Sequence, residues 1–159
     1  MRSLSRWSLP LVAVLLSAGA PAPAPAPAVA DDIIALVRAQ WAAEMQTPPN
    51  VAEEFANIAD DYTEFNSEYS TRLEGKALNM QLSEADAKSS VHTIASDMAN
   101  AKVQVYGDVA ILSYNYVGIN IDKDGKTEAD RAKSTRVYAK QNGKWMLVHA
   151  NFGADPAPK

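Results

Sequence analysis

Two residues near the C-terminus could do chemistry: Arg136, within Thr135-Arg136-Val137-Tyr138-Ala139, and His149, within Trp145-Met146-Leu147-Val148-His149-Ala150-Asn151-Phe152. A guanidinium in the middle of a strand is costly unless a carboxylate pairs with it or a solvated cavity receives it. Glu64, Glu68 and Asp97 are the candidates for pairing. An imidazole titrates near neutral pH, so His149 could act as general base or proton donor, or simply hold a half-buried hydrogen bond. The two-residue period of a strand places His149 on one face with Trp145, Leu147 and Asn151.

Those side chains depend on a hairpin, because the two runs flank Asn142-Gly143, a dipeptide suited to a tight turn between antiparallel strands. Two more strands precede it. His92 to Tyr106, with a bulge expected around Met98 to Ala101, turns at Gly107-Asp108 into Val109 to Ile121, and Asp122 to Lys126 closes the next hairpin. The four strands form an antiparallel meander. Helices come earlier in the chain: Asp31 and Asp32 mark a helix start, and Ile33, Ile34, Val37, Trp41 and Met45 follow a helical stripe. Pro48-Pro49-Asn50 ends that helix and caps a second, Val51 to Ala59, before an extended segment over Tyr62 to Phe65. Glu74-Gly75-Lys76 breaks the chain ahead of a polar helix, Ala77 to Ser89. Helices first and strands afterwards predict an α+β fold.

The run from Val109 to Ile121 bears on assembly. Its odd positions include Val109, Ile111, Val117, Ile119 and Ile121, and its even positions Ala110, Leu112, Tyr114 and Tyr116, so both faces are largely apolar. Two helices cover one face only. The other is expected to meet a second subunit, in a homodimer or larger ring that buries tyrosines there.

Residues 1–30 read as a signal peptide: Arg2 and Arg6 precede an apolar stretch from Trp7 to Ala18, and a Pro-Ala tract ends in Ala28-Val29-Ala30. Residues 31–159 then form one domain, periplasmic or secreted, with no membrane partner once the signal is cleaved. Removing Arg2 and Arg6 leaves 13 basic against 19 acidic residues, a formal charge of −6, and no basic run exists to suit a nucleic acid. Absence of cysteine excludes disulfides and thiolate metal sites, and His92 and His149 are too few for a three-histidine centre. Asp122-Lys123-Asp124-Gly125 lacks the further acidic ligands of a calcium loop and reads as a polar turn. No metal or other cofactor is expected.

Thr63-Glu64-Phe65-Asn66-Ser67-Glu68, Leu73-Glu74-Gly75, the turn at Gly107-Asp108, and the terminal Thr135-Arg136-Val137, Gly143-Lys144-Trp145, Val148-His149 and Gly153 resemble the association domain of calcium/calmodulin-dependent protein kinase type II. More broadly they are similar to SnoaL-like members of the nuclear transport factor 2-like superfamily. The resemblance covers Ile33 to Pro156 and implies a cone, in which N-terminal helices pack on a strongly curved antiparallel sheet and leave a pocket at the open end. No kinase domain lies in this sequence, so kinase activity and calmodulin binding do not follow.

In the kinase association domain the arginine matching Arg136 lines a deep pocket, which implies that Arg136 could clamp a carboxylate or similar anion. The second basic residue of that pocket corresponds to Tyr116, and a second histidine to Asn151. Tyr62, Phe65 and Asn66 fall at the implied pocket mouth, where aromatic walls with a few polar groups suit a small organic molecule. Tyr62 and Phe65 also fit a plain core. Relatives that isomerise or cyclise steroids and polyketides use a carboxylate in the cone, for which Asp97 and Glu64 are candidates beside His149. Small-molecule binding through Tyr62, Asn66, Arg136, His149 and Asn151 is the leading expectation, with a cofactor-free isomerase, cyclase or hydrolase and a protein-association scaffold as alternatives.

Overall fold

Alanine-rich sequence with apolar residues three to four apart dictates a helix that buries one stripe, and α1 (Ala26–Glu44) buries Val29, Ile33, Val37 and Trp41. The computed structural model describes residues 26–155. Helix α1 begins ahead of the start read at Asp31 and Asp32, because Ala26 to Ala30 continue the helical run and Val29 joins the core. Apart from this turn, the signal-peptide reading falls on residues outside those described.

The second helix, α2 (Val51–Glu54), is a single turn capped by the Asn50 side chain, which accepts from the Glu53 N–H at 3.2 Å. It does not reach Ala59. Strand β1 (Ile58–Asn66) starts instead, since Ile58 pairs with Leu147 and the Leu147 N–H donates to the Asn57 carbonyl at 2.8 Å. Sheet pairing thus overrides the helix-compatible spacing of Val51, Phe55 and Ile58. A short β2 (Leu73–Glu74), helix α3 (Lys76–Asp86), and strands β3 (His92–Tyr106), β4 (Val109–Ile121), β5 (Thr127–Gln141) and β6 (Lys144–Ala154) follow. Positive φ at Asn142 (50°) and Gly143 (81°) gives the β5–β6 turn the conformation that Asn-Gly favours.

The six strands lie in the order β2-β1-β6-β5-β4-β3, antiparallel except for the parallel pair β1 and β6. Register shifts bend the sheet at Ile94 and between Ala99 and Lys102 on β3, where Asn100 has φ 53°, and at Val148 on β6. Helices α1 and α3 pack on one face, α1 against β3 and β4, α3 against β1. The inner face carries Ala110, Leu112, Tyr114 and Tyr138 at the core. Trp41 packs on Tyr114 and Tyr116, ring centroids 5.9 and 5.5 Å apart, so both tyrosines face the helices. Gly118 leaves room for the Tyr116 ring, whose hydroxyl would clash with a Cβ at that position. The expected tyrosine-lined subunit face is therefore corrected. The outer face of β4 presents the odd positions, with Val109, Val117 and Ile119 exposed.

Candidate functional site

Register sets the site. Arg136 lies opposite Leu112 on β4 and Ala150 on β6, and so points to the inner face, where it is 3% exposed. Its Nε donates to the Tyr114 hydroxyl at 2.9 Å and its Nη1 to Gln40 Oε1 at 2.5 Å. The guanidinium also approaches the rings of Tyr114 and Phe152, 5.9 and 5.4 Å from their centroids. Among the described residues no carboxylate lies within ion-pair distance of it. Glu64, one expected partner, instead accepts from the Tyr62 hydroxyl at 2.7 Å and from Asn66 Nδ2 at 3.1 Å. Burial opposes the charge on Arg136, but the hydroxyls of Tyr114, Tyr138 and Tyr62 outweigh it and raise the pKa, so the group stays cationic.

A cavity of about 420 Å³ opens beside this arginine, with Tyr62, Asn66, Tyr116 and Phe152 in its walls. Helices supply Gln40, Glu44 and Glu54. A second chamber of about 620 Å³ shares Glu44, Glu54, Asp86 and Thr93 with the first and continues between Met45, Pro48, Val91, Ile94 and Ile121. Three carboxyls, those of Glu44, Glu54 and Asp86, therefore stand where the chambers meet. Burial pushes the Glu54 carboxyl up to about 7, against the hydrogen bond it accepts from Ser83 Oγ at 2.7 Å, and the Glu44 charge adds to the rise. Glu44 is also raised, chiefly by burial, with the Arg136 charge and the Thr93 hydroxyl opposing. Burial, reinforced by Glu64, holds the Tyr62 hydroxyl protonated.

Of the residues singled out from sequence, Tyr62, Asn66 and Arg136 meet in the cavity, together with Glu64 and Tyr116. His149 and Asn151 do not. Val148 is an extra residue on β6, between the pairs Val137–His149 and Tyr138–Leu147, and it breaks the alternation. Trp145 and Leu147 stay with the inner side, whereas His149 and Asn151 turn to the outer face beside Thr63 and Phe65. There the His149 Nδ1 lies 2.9 Å from Thr63 Oγ1 and its ring meets Phe65 edge-on at 6.0 Å. The shared face read for His149 and Leu147 is corrected accordingly. Asp97 is exposed on the outer side, accepts the Met98 N–H and sits 3.8 Å from Arg38, away from the cavity. Asp122 caps its own turn, accepting the N–H groups of Asp124 and Lys126 at 2.9 Å.

Gln40, Glu44 and Glu54 were not singled out from the sequence. A signal existed for two of them: Ile33, Val37, Gln40 and Glu44 share one helical stripe, so two polar residues continue an apolar face.

The family model of the calcium/calmodulin dependent protein kinase II association domain matches residues 32–156. The chain belongs to that family. Curated relatives include the type II kinases of Caenorhabditis briggsae and Caenorhabditis elegans, each 27% identical over 86 residues, 54% of this chain. The match spans 16% and 12% of those kinases' lengths. Among solved structures, the C. elegans association domain superposes with a TM-score of 0.67 at 22% identity, covering 80% of this chain and 97% of that one. A nuclear transport factor 2-like protein of unknown function from Pseudomonas putida gives 0.67 at 19% identity, covering 82% and 89%. These likenesses establish a nuclear transport factor 2-like fold for this association-family domain.

Proposed function

We propose that this chain is an exported, self-associating domain that binds a small organic anion, with Arg136 as the anchor. The observation that carries the reading is a guanidinium 3% exposed, on the wall of a cavity, held by neutral partners at Tyr114 and Gln40 and, among the described residues, by no carboxylate. A ligand carboxylate would supply the missing counter-charge in a setting dry enough to strengthen the pair. Self-association is supported by the outer face, where Phe65, Val109, Val117 and Ile119 are exposed on one side of the sheet, and by membership of an association-domain family. Export rests on the pattern of the first 30 residues and is checked by the mass of the exported form, expected to begin at Asp31.

Thermal-shift titration with small aliphatic and aromatic carboxylates tests the anion site. A saturable rise in melting temperature that Arg136→Lys removes is the expected result, since lysine keeps the charge and loses the planar fork. A rise that is unchanged in the variant would contradict the assignment. One observation favours an acid–base role in the same cavity: Glu54 is held near neutrality beside it. That reading requires turnover lost in Glu54→Gln while binding persists.

A further inference from the structure

We infer that the ligand is a short ω-amino carboxylate, its carboxylate on Arg136 and its ammonium between Glu44 and Glu54. This inference rests on the anion site proposed above and names the chemistry at the other end of the ligand.

Two independent features converge on one cavity. The first is the buried guanidinium, which has no acidic partner among the described residues. The second is a pair of carboxyls, from the end of α1 and from α2, set at the junction of two chambers. Arg136 lies close enough for its charge to lower both carboxyl pKa values, yet no ion pair joins it to either among the described residues. All three residues line the same cavity of about 420 Å³, so the charge centres are farther apart than an ion pair and no farther than that cavity spans. A spacer of a few methylenes fits such a gap.

Both carboxyls, half-buried, also keep acceptor positions open. Glu54 accepts one hydrogen bond, from Ser83, and Glu44 accepts a long one of 3.4 Å from Thr93, whose hydroxyl also donates to Asn120. An ammonium carries three donors and would serve both groups at once. The remaining charges do not replace it. Glu64 is occupied by Tyr62 and Asn66, Asp86 adds negative charge at the same junction, and Asp130 and Arg131 stand side by side in sequence on β5 with opposite signs. A purely anionic ligand would leave the acidic junction unmatched, and a purely cationic one would leave Arg136 unmatched.

Calorimetric titration of the full chain at neutral pH, with propanoate to heptanoate and their ω-amino counterparts, distinguishes the outcomes. At the best chain length the amino acid is expected to bind at least about tenfold more tightly than its parent acid. Glu54→Gln should shrink that gain while leaving the parent acid's affinity in place, and Arg136→Lys should weaken both. Repeating the titration in buffers of different ionisation enthalpy should show proton release on binding of the amino acid, as Glu54 gives up its proton to face a cation. An ω-amino acid no tighter than its parent, where the parent binds through Arg136, would overturn the inference and leave the anion site standing. Parent acids that bind equally well with and without the arginine would overturn the anion site itself. Absence of binding by every probe would overturn both.

Discussion

The two faces of the same hairpin differ in a way that its sequence disguises. Arg136 and His149 sit on neighbouring strands, near enough that Val137 pairs with His149, yet the arginine is buried on the inner face and the histidine lies half-buried on the outer one. The inner face encloses charge: a guanidinium, two half-buried carboxyls and a tyrosine–glutamate pair. The outer face runs from Thr63 through His149 and Val137 to Ile111, with Phe65, Val117 and Ile119 exposed nearby. Burial of unpaired charge is expensive and is tolerated where something uses it, whereas an exposed apolar sheet face asks for a partner. One side of the sheet is thus suited to a small ligand and the other to another subunit.

Four experiments break or sharpen this contrast. The largest effect should come from charging the outer face with Val117→Glu and Ile119→Glu together, which is expected to abolish self-association measured by light scattering while circular dichroism stays native. An assembly unchanged by both charges would place the contact elsewhere. Next, Arg136→Ala should lower stability by about 3 kcal/mol in urea unfolding, since it leaves the Tyr114 hydroxyl and Gln40 without their partner and opens a void.

The third concerns pH. Between the ordinary carboxylate value of 4.5 and about 7, the folded chain retains the Glu54 proton that the unfolded chain has released, so stability should fall as pH rises through that window and level off above it. Partial exposure reduces the effect to about 2 kcal/mol, and Glu54→Gln should flatten the profile. A stability that instead climbs across this window in wild type, or a profile that Glu54→Gln leaves unchanged, would contradict the raised Glu54 pKa. The smallest effect belongs to His149→Ala, about 1 kcal/mol or less from the loss of the Thr63 hydrogen bond, with carboxylate binding unchanged. Loss of binding in that variant would mean that the outer face reaches the cavity after all.

Local chemistry made much of the fold readable in advance. Asn142-Gly143 demands a tight turn, β4 begins and ends where its apolar run does, and the bulge region of β3 lies where it was expected. Long-range pairing hid the rest. Strand β1 claims Ile58 from a helix-like pattern because β6 offers it a partner, and Val148 shifts the parity of β6 through a bulge that the local sequence does not mark. That single extra residue separates His149 and Asn151 from Arg136. Tyr62, Asn66 and Arg136 remain together although β1 also shifts register between Ile58 and Thr63, because Glu64 and Arg136 both lie opposite Ala150 and so share the inner face.

The central claim is that Arg136 anchors an anion, and nitrogen-15 NMR of the arginine Nε–H groups addresses it directly. Arg136 should give a protected signal, assigned by its loss in Arg136→Lys, that shifts saturably as a short carboxylate is added. A signal that stays fixed while the same carboxylate perturbs backbone amides elsewhere would contradict the claim.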